Sequence, residues 1–140
     1  EAYRRRLQPL LDRCAEHWTF LGTLNAAKMA VFYAACDVTV LPSVNSTESF
    51  GLVQVESMLA GTPVVASDLP GVRVTVQRTG MGKVAARRDA GALADAVVDV
   101  LADPARFRRD RDEIIAYCST SRTKREYVRL FRTLLGQRDH

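Results

Sequence analysis

Apolar residues recur along the first part of the chain at intervals that alternate between helical and strand-like. A stripe at helical spacing over residues 3–14 predicts an opening amphipathic helix. Residues 18–21 (Trp-Thr-Phe-Leu) predict a short strand that ends at Gly22. Residues 26–36 are apolar on nearly every side except at Lys28, which predicts a well-buried helix.

Further apolar runs predict the rest of a sheet. Residues 38–41 form a strand that is apolar on both faces, as is typical of the middle of a parallel sheet covered by helices. Residues 64–66 predict a third strand and residues 83–85 a fourth, at the edge, with a helix over about 50–60 between the second and third strands. Strands that alternate with helices indicate an α/β fold: a Rossmann-like parallel sheet flanked by helices.

The carboxyl-terminal third is predicted to be helical after a less regular segment that contains Gly80 and Gly82. Asp89 is a plausible N-cap for one helix. Asp103 followed by Pro predicts a second helix, to about residue 117, and a last helix opens at Ser121 and closes near residue 136. We therefore expect one domain over residues 1–140, with its α/β part at about 18–102 and carboxyl-terminal helices at about 103–136.

Composition limits the class of protein. Of the 140 residues, 47% are hydrophobic and 26% are charged, which is ordinary for a globular domain. The apolar runs fall well short of the ~20 residues that a membrane span needs. Cys14, Cys36 and Cys118 are far apart and form no CxxC pair, so they predict small buried side chains in a reducing cytosol, with no metal site.

The formal net charge is +4, and arginine supplies nearly all of the positive charge. Such a balance suits binding to nucleic acid, anionic lipid or a phosphorylated ligand. Basic residues cluster at 4–6, 106–111 and 122–132, in helical stretches with interleaved apolar residues. A solvated helix face is the simpler interpretation, and a peripheral contact with a membrane surface is the functional one.

The stretch from Glu48 to Glu56 carries the candidate chemistry. It follows the carboxyl end of a predicted strand and enters a helix, which is where open α/β sheets bind ligands. Helix-start amides attract anions, and Gly51 would let a phosphate approach the main chain. Two nearby carboxylates can accept hydrogen bonds from hydroxyl groups. A nucleotide-sugar, a diphosphate between two polyols, satisfies both requirements.

The two glutamates, separated by seven residues with Phe-Gly after the first, resemble the signature of the retaining GT-B glycosyltransferases of family four. The similarity continues through residues 33–43 (YAACDVTVLPS), 56–68 (ESMLAGTPVVASD) and 70–73 (PGVR), and covers roughly residues 18–102. It implies the carboxyl-terminal donor-binding domain of a GT-B fold and a hexosyl transfer reaction with retention. The arginine-rich, lysine-poor composition suggests a GC-rich bacterial coding sequence. UDP-, GDP- and ADP-sugars are all compatible donors.

The resemblance also implies roles for individual residues. Glu48 is the expected catalytic residue, in contact with the donor sugar, and Glu56 is expected to bind the ribose hydroxyls. The remaining expected donor-binding residues are the main chain of Ser49, Phe50, Gly51, Leu52 and Val53, and the turn that contains Gly22 and Leu24. The family needs no bound metal or other cofactor, and opposes the charge of the leaving diphosphate with protein groups.

The resemblance further implies that the chain is truncated before Glu1. The Arg and Lys that neutralise the diphosphate, and an amino-terminal domain that binds a glycan or lipid acceptor, would precede it. We therefore expect no transfer by these 140 residues alone. The expected location is the cytoplasm, at the inner face of the membrane if the basic helices bind lipid, with no nucleic acid partner. A nucleotide-sugar epimerase of related fold and a non-catalytic GT-B-like interaction module are the alternative functions.

Overall fold

The computed structural model describes residues 2–45 and 47–136. At its centre lies a three-stranded parallel sheet in the order β1 (Thr39–Leu41), β2 (Val64–Ser67), β3 (Gly82–Ala85). The register pairs residue 39 with 64 and residue 64 with 82. All four residues of β2 are buried, as a strand covered on both faces requires. The predicted strands at 38–41, 64–66 and 83–85 are confirmed to within one residue at each end.

Seven α-helices are described: α1 (Ala2–Arg13), α2 (Ala26–Ala35), α3 (Leu52–Leu59), α4 (Val72–Thr79), α5 (Ala90–Ala102), α6 (Arg111–Cys118) and α7 (Thr120–Leu134). Short 3-10 helices cover Ala15–His17 and Pro104–Phe107. The predicted N-cap at Asp89 is confirmed, because its carboxylate accepts a hydrogen bond from the amide of Ala92 at 2.9 Å. His140 lies outside the described residues.

Helices cover both faces of the sheet. On one face, α3, α4 and α6 enclose the larger core cluster, made of Met58, Val64, Ala66, Leu69, Val72, Val76, Met81 and Ile114. On the other face, α5 packs on β2 and β3 through Val65, Ala85, Ala96 and Val100. This layered arrangement confirms the predicted α/β class, with a parallel sheet flanked by helices.

The expected first strand is wrong: residues 18–21 have no regular secondary structure. The indole nitrogen of Trp18 instead donates to the carbonyl of Leu11 at 2.9 Å, which ties this segment to the end of α1. A strand exists only by pairing, and the described sheet begins at β1. The expectation that 38–41 lies in the middle of the sheet is wrong for the same reason, and Val40 is exposed.

The expected burial of the helix at 26–36 is also wrong. Among its residues Tyr33 is buried, whereas Val31 is 70% exposed and Phe32 also reaches solvent. A helix that is apolar on all sides needs neighbours on all sides, and α2 packs chiefly against α3. Cys14 is likewise exposed, so the expectation of buried cysteines fails there, while the other two cysteines are half-buried.

Two helical segments differ from the prediction. The segment expected to be irregular contains α4, whose residues Val72, Thr75 and Val76 are buried on one face. Its β-branched run lowers helix propensity, and burial outweighs that preference. The helix expected from Asp103 to residue 117 is divided, because Arg108 is extended and Asp110 caps α6 afresh. No helix in residues 2–45 and 47–136 combines the length and apolar content that a bilayer crossing needs.

Candidate functional site

The start of α3 follows the loop that leaves the carboxyl end of β1. Gly51 is the N-cap, in the left-handed region at φ 71° and ψ 65°. A Cβ added there would lie 2.6 Å from a methyl of Leu41 and 2.6 Å from the amide nitrogen of Gln54. Glycine is therefore required by backbone conformation and by interior packing. The space that its missing Cβ leaves is filled by protein.

Glu48 caps the same helix from the loop. Its half-buried side chain accepts a hydrogen bond through Oε1 from the amide of Gly51 at 2.9 Å. A carboxylate at this position satisfies one amide of the helix entrance and opposes the positive end of the helix dipole. The structure therefore places Glu48 at the helix entrance, where the sequence predicts an anion site. Its carboxylate occupies one of the backbone amides there.

The loop is held in place by a close approach of two backbone segments. Gly71, the N-cap of α4, has φ −80° and ψ −39°. A Cβ built there would lie only 1.6 Å from the carbonyl oxygen of Ser49. The absence of a side chain at residue 71 thus lets α4 pack directly on the residue that follows Glu48.

Gln54 fixes the first turn of α3 from below. This side chain is fully buried, and its amide nitrogen donates to the carbonyls of Phe50 at 2.9 Å and Val72 at 3.2 Å. Its Oε1 is buried without a hydrogen-bond partner among the described residues. The two donated bonds link the loop, α3 and the start of α4 into one unit.

The solvent-facing side of α3 connects the helix entrance to the second glutamate. Leu52, Val53 and Glu56 are exposed, whereas the other side of the helix is buried. Residues four apart lie on one face, about 6 Å apart along the axis. Glu56 therefore projects from the same exposed face as the residues that follow Gly51.

Glu56 is held by one hydrogen bond. The hydroxyl of Tyr33, on α2, donates to its Oε2 at 3.3 Å. Burial raises the pKa of Tyr33 above its ordinary value of 10.0, and the charge of Glu56 and this hydrogen bond raise it further. Tyr33 consequently remains a protonated donor at neutral pH, and Oε1 of Glu56 has no hydrogen-bond partner in the described part of the chain.

A cleft of about 550 Å³ opens beside Glu56, between α2, α3 and α6. Its walls are mainly apolar, with Leu24, Met29 and Leu59 among them, and Arg111 supplies a cation at one side. The Nε of Arg111 donates to the carbonyl of Leu59 at 3.3 Å. The structure thus brings Leu24 and Glu56, both predicted site residues, to one cleft.

Other predicted residues lie elsewhere around the entrance. Phe50 and Leu52 line a second cleft of about 380 Å³ against α6 and α7, where Arg122 lies over the ring of Tyr117 at 5.2 Å. Gly22 is exposed in the segment before α2, and the side chain of Val53 is 37% exposed. Glu48, Ser49 and Gly51 lie at the helix entrance.

The decisive observation on ancestry is a match to the family model for glycosyl transferases group 1, which covers residues 1–103. The chain belongs to this family. The phosphatidyl-myo-inositol mannosyltransferase of Mycobacterium leprae is 44% identical over 86 residues, which are 61% of this chain and 23% of that protein. The D-inositol 3-phosphate glycosyltransferase of Mycolicibacterium vanbaalenii is 40% identical over 106 residues, which are 75% of this chain and 23% of that protein.

A further relative and a solved structure are also similar to this chain. A glycogen synthase of Mycobacterium tuberculosis is 37% identical over 105 residues, 71% of this chain and 25% of that protein. The chain therefore spans about a quarter of the length of the curated relatives it matches. Among solved structures, the sucrose-phosphate synthase of Thermosynechococcus elongatus, a GT-B glycosyltransferase, superimposes with a TM-score of 0.75 at 35% identity, covering 96% of this chain and 35% of that one. The resemblance stated from the sequence is confirmed.

Sequence reasoning does not single out three residues of this candidate site. Tyr33 stands only within a matched motif, Arg111 only within a basic cluster, and Gln54 has no predicted role. A signal for Gln54 exists, since it falls on the buried side of α3 with Val55 and Met58, as a polar residue beside apolar ones. The contacts of Tyr33 and Arg111 depend on tertiary packing.

Proposed function

We propose that this chain is the donor-binding part of a retaining glycosyltransferase, which transfers a sugar from a nucleotide diphosphate sugar to an acceptor. The observation that carries the proposal is the exposed face of α3. It begins at a helix entrance with a carboxylate beside it and leads, one turn later, to Glu56 at the edge of a mainly apolar cleft. Membership of the glycosyl transferases group 1 supports the same reaction.

The ligand is oriented along that face. The diphosphate lies at the entrance of α3, where the amides of Leu52 and Val53 point outward and the helix dipole favours negative charge. The ribose lies against Glu56, and the base enters the cleft beside Leu24. The donor sugar contacts Glu48 and the main chain of residues 49–53, and the turn at Gly22 closes the nucleotide end.

Glu48 has two tasks in this arrangement. In the free protein its carboxylate caps the helix entrance through Gly51. With donor bound, it hydrogen-bonds the sugar and stabilises the positive charge that develops at the anomeric carbon as the bond to the diphosphate breaks. The departing diphosphate is stabilised by helix-start amides and protein cations, so the proposed reaction needs no metal ion or other cofactor.

The test uses two substitutions of Glu48 in the complete protein, assayed with UDP-, GDP- and ADP-hexoses. Glu48→Ala removes both the cap and the charge, whereas Glu48→Gln keeps an oxygen that can accept from Gly51. We expect both variants to lose transfer by about 10²–10³-fold, with Glu48→Gln keeping the melting temperature of the wild type. The control Glu16→Ala, at an exposed glutamate outside the loop, should retain full activity.

Three results would contradict the proposal. Normal turnover by Glu48→Gln would leave Glu48 only its capping role. An epimerised nucleotide-sugar in place of a new glycoside would indicate the epimerase, and the absence of any protection by nucleoside diphosphates in a melting assay would indicate a non-catalytic module. The isolated 140 residues, assayed in parallel, are expected to give no transfer because acceptor binding is assigned to a separate amino-terminal domain.

The acceptor is proposed to be a glycan or a lipid. Two relatives are named for phosphatidyl-myo-inositol and for D-inositol 3-phosphate, so both compounds belong in the acceptor screen.

A peripheral membrane contact is consistent with α7, where Tyr127, Leu130, Phe131 and Leu134 are exposed beside several basic residues. We place the protein in the cytoplasm because its cysteines are unpaired in the described residues. Binding of the complete protein to anionic but not neutral vesicles would support the membrane contact, and equal binding to both would contradict it.

A further inference from the structure

We propose that Tyr33 is a positioning residue for the donor nucleotide: its hydroxyl holds one oxygen of Glu56 so that the other oxygen faces the ribose. The inference rests on the proposed function, because it assigns Tyr33 a part in the ribose contact of Glu56. It begins from the 3.3 Å hydrogen bond that links these side chains across 23 residues of sequence.

Tyr33 is fixed at both of its ends. The side chain is only 4% exposed and lies between α2 and α3. Its carbonyl oxygen accepts hydrogen bonds from the hydroxyl of Thr62 at 2.6 Å and from the amide of Cys36 at 3.1 Å. Thr62 lies two residues before β2, after the turn that ends α3, and is itself buried. The phenol is therefore held by the fold before any ligand arrives.

Glu56, in contrast, is on the exposed face of α3. A glutamate side chain in water samples several rotamers, and ordering it on binding costs conformational entropy. A hydrogen bond from a fixed neighbour meets part of that cost in advance, which is how preorganisation increases affinity. Within residues 2–45 and 47–136, that neighbour is Tyr33, and no other side chain donates to Glu56.

The hydrogen bond between Tyr33 and Glu56 leaves Oε1 of the carboxylate free to accept from a ligand. A carboxylate only accepts hydrogen bonds, and Tyr33 remains protonated because burial and the charge of Glu56 raise its pKa. The phenol must therefore donate to Oε2. Oε1 keeps its lone pairs for two neighbouring ribose hydroxyls, which can donate together to one carboxylate.

Packing does not explain the hydroxyl of Tyr33, because a phenylalanine ring would fill the same buried space between α2 and α3. A buried hydroxyl is unfavourable unless it has a hydrogen-bond partner. The partner of this hydroxyl is a carboxylate on the wall of the nucleotide cleft.

The experiment measures by calorimetry, on the complete protein, the affinities for UDP, GDP and ADP and for the 2′,3′-dideoxy form of whichever nucleotide binds. Tyr33→Phe removes only the hydroxyl, and Tyr3→Phe makes the same change at an exposed position on α1 as the control. We expect Tyr33→Phe to weaken binding of the ribonucleotide by about twofold to tenfold, the cost of ordering one side chain on binding. Its affinity for the dideoxy form should equal that of the wild type, and Tyr3→Phe should bind both forms normally.

A merely structural role of Tyr33 would give a different result. If Tyr33→Phe loosened α2 against α3, both nucleotides would bind more weakly by a similar factor, and the proposal would be overturned. Unchanged binding of both would overturn it as well. A second variant, Glu56→Ala, completes the cycle because it removes both acceptor oxygens: adding Tyr33→Phe to it should produce no further loss, whereas an additive loss would show that Tyr33 acts independently of Glu56.

Failure of the proposed function has its own signature. A wild-type protein that binds the ribonucleotide and its dideoxy form equally has no ribose contact at Glu56, and one that binds neither has no nucleotide site. Both results concern the wild type, whereas the inference about Tyr33 is decided by the difference between wild type and Tyr33→Phe.

Discussion

The close approach of Gly71 to Ser49 predicts that one added methyl group disrupts the candidate site. In Gly71→Ala, the new Cβ would lie 1.6 Å from the carbonyl oxygen of Ser49. Real Cβ contacts are essentially never below 3.0 Å, so the two segments must separate by about 1.4 Å. Because residue 71 has φ −80° and ψ −39°, alanine is comfortable in the backbone conformation, and the whole effect is steric.

The magnitude follows from where the separation occurs. Ser49 lies between Glu48 and the entrance of α3, so a shift of this size moves the loop that we propose to contact the donor sugar. A misplacement of about 1 Å in a catalytic site costs on the order of 10²-fold in rate, and overpacking costs about 1–3 kcal/mol of stability. We expect transfer by the complete protein to fall by about 10²-fold and the melting temperature to fall by several degrees.

Gly91→Ala is the matched control. Gly91 lies in the first turn of α5, and its new Cβ would meet only a carboxylate oxygen of Asp89 at 3.4 Å, an ordinary contact. Alanine is the better helix former, so this variant should be unchanged or more stable by up to about 1 kcal/mol. The same substitution is thus expected to have opposite signs at the two sites. Wild-type stability and turnover in Gly71→Ala would refute the reasoning, because the loop could not then lie against residue 71.

Two further predictions concern the support beneath the site. Thr62→Val should lower the free energy of unfolding by about 1–3 kcal/mol in urea denaturation, because the carbonyls of Tyr33 and Cys36 lose a buried donor; the exposed Thr133→Val should change it little. The second concerns alkaline pH. The pKa of Tyr33 is higher in the folded protein than its ordinary value of 10.0 in the unfolded chain, so the protonated phenol contributes its full stability to the fold below pH 10.0. This contribution is lost as the pH rises through the pKa of the folded protein. Denaturation of wild type and Tyr33→Phe between about pH 8 and 11 should show a smaller alkaline loss in the variant, and identical pH profiles would contradict the raised pKa of Tyr33.

The sequence allows the strands of the sheet to be predicted because each is a short apolar run between segments that favour turns. Val64 and Val65 are followed within six residues by Pro70 and Gly71, and the strand they start is fully buried. The same reasoning failed at residues 18–21, where an apolar run has no paired strand beside it. Local sequence shows that a segment is apolar, whereas strand formation also requires a partner, and α2 fails as a buried helix for the same reason.

The sequence likewise predicts some residues of the candidate site but not the contacts that position them. Glu48, Gly51 and Glu56 could be found from spacing because they lie on one loop and one helix. The contacts that set their positions join distant residues: the hydroxyl of Tyr33 reaches Glu56, and the space left by Gly71 receives Ser49. An isolated helix of eight residues, the length of α3, is unstable in water, so its place in the fold depends on such contacts. A substitution at either distant residue should therefore alter the site, although both lie outside the stretch from Glu48 to Glu56.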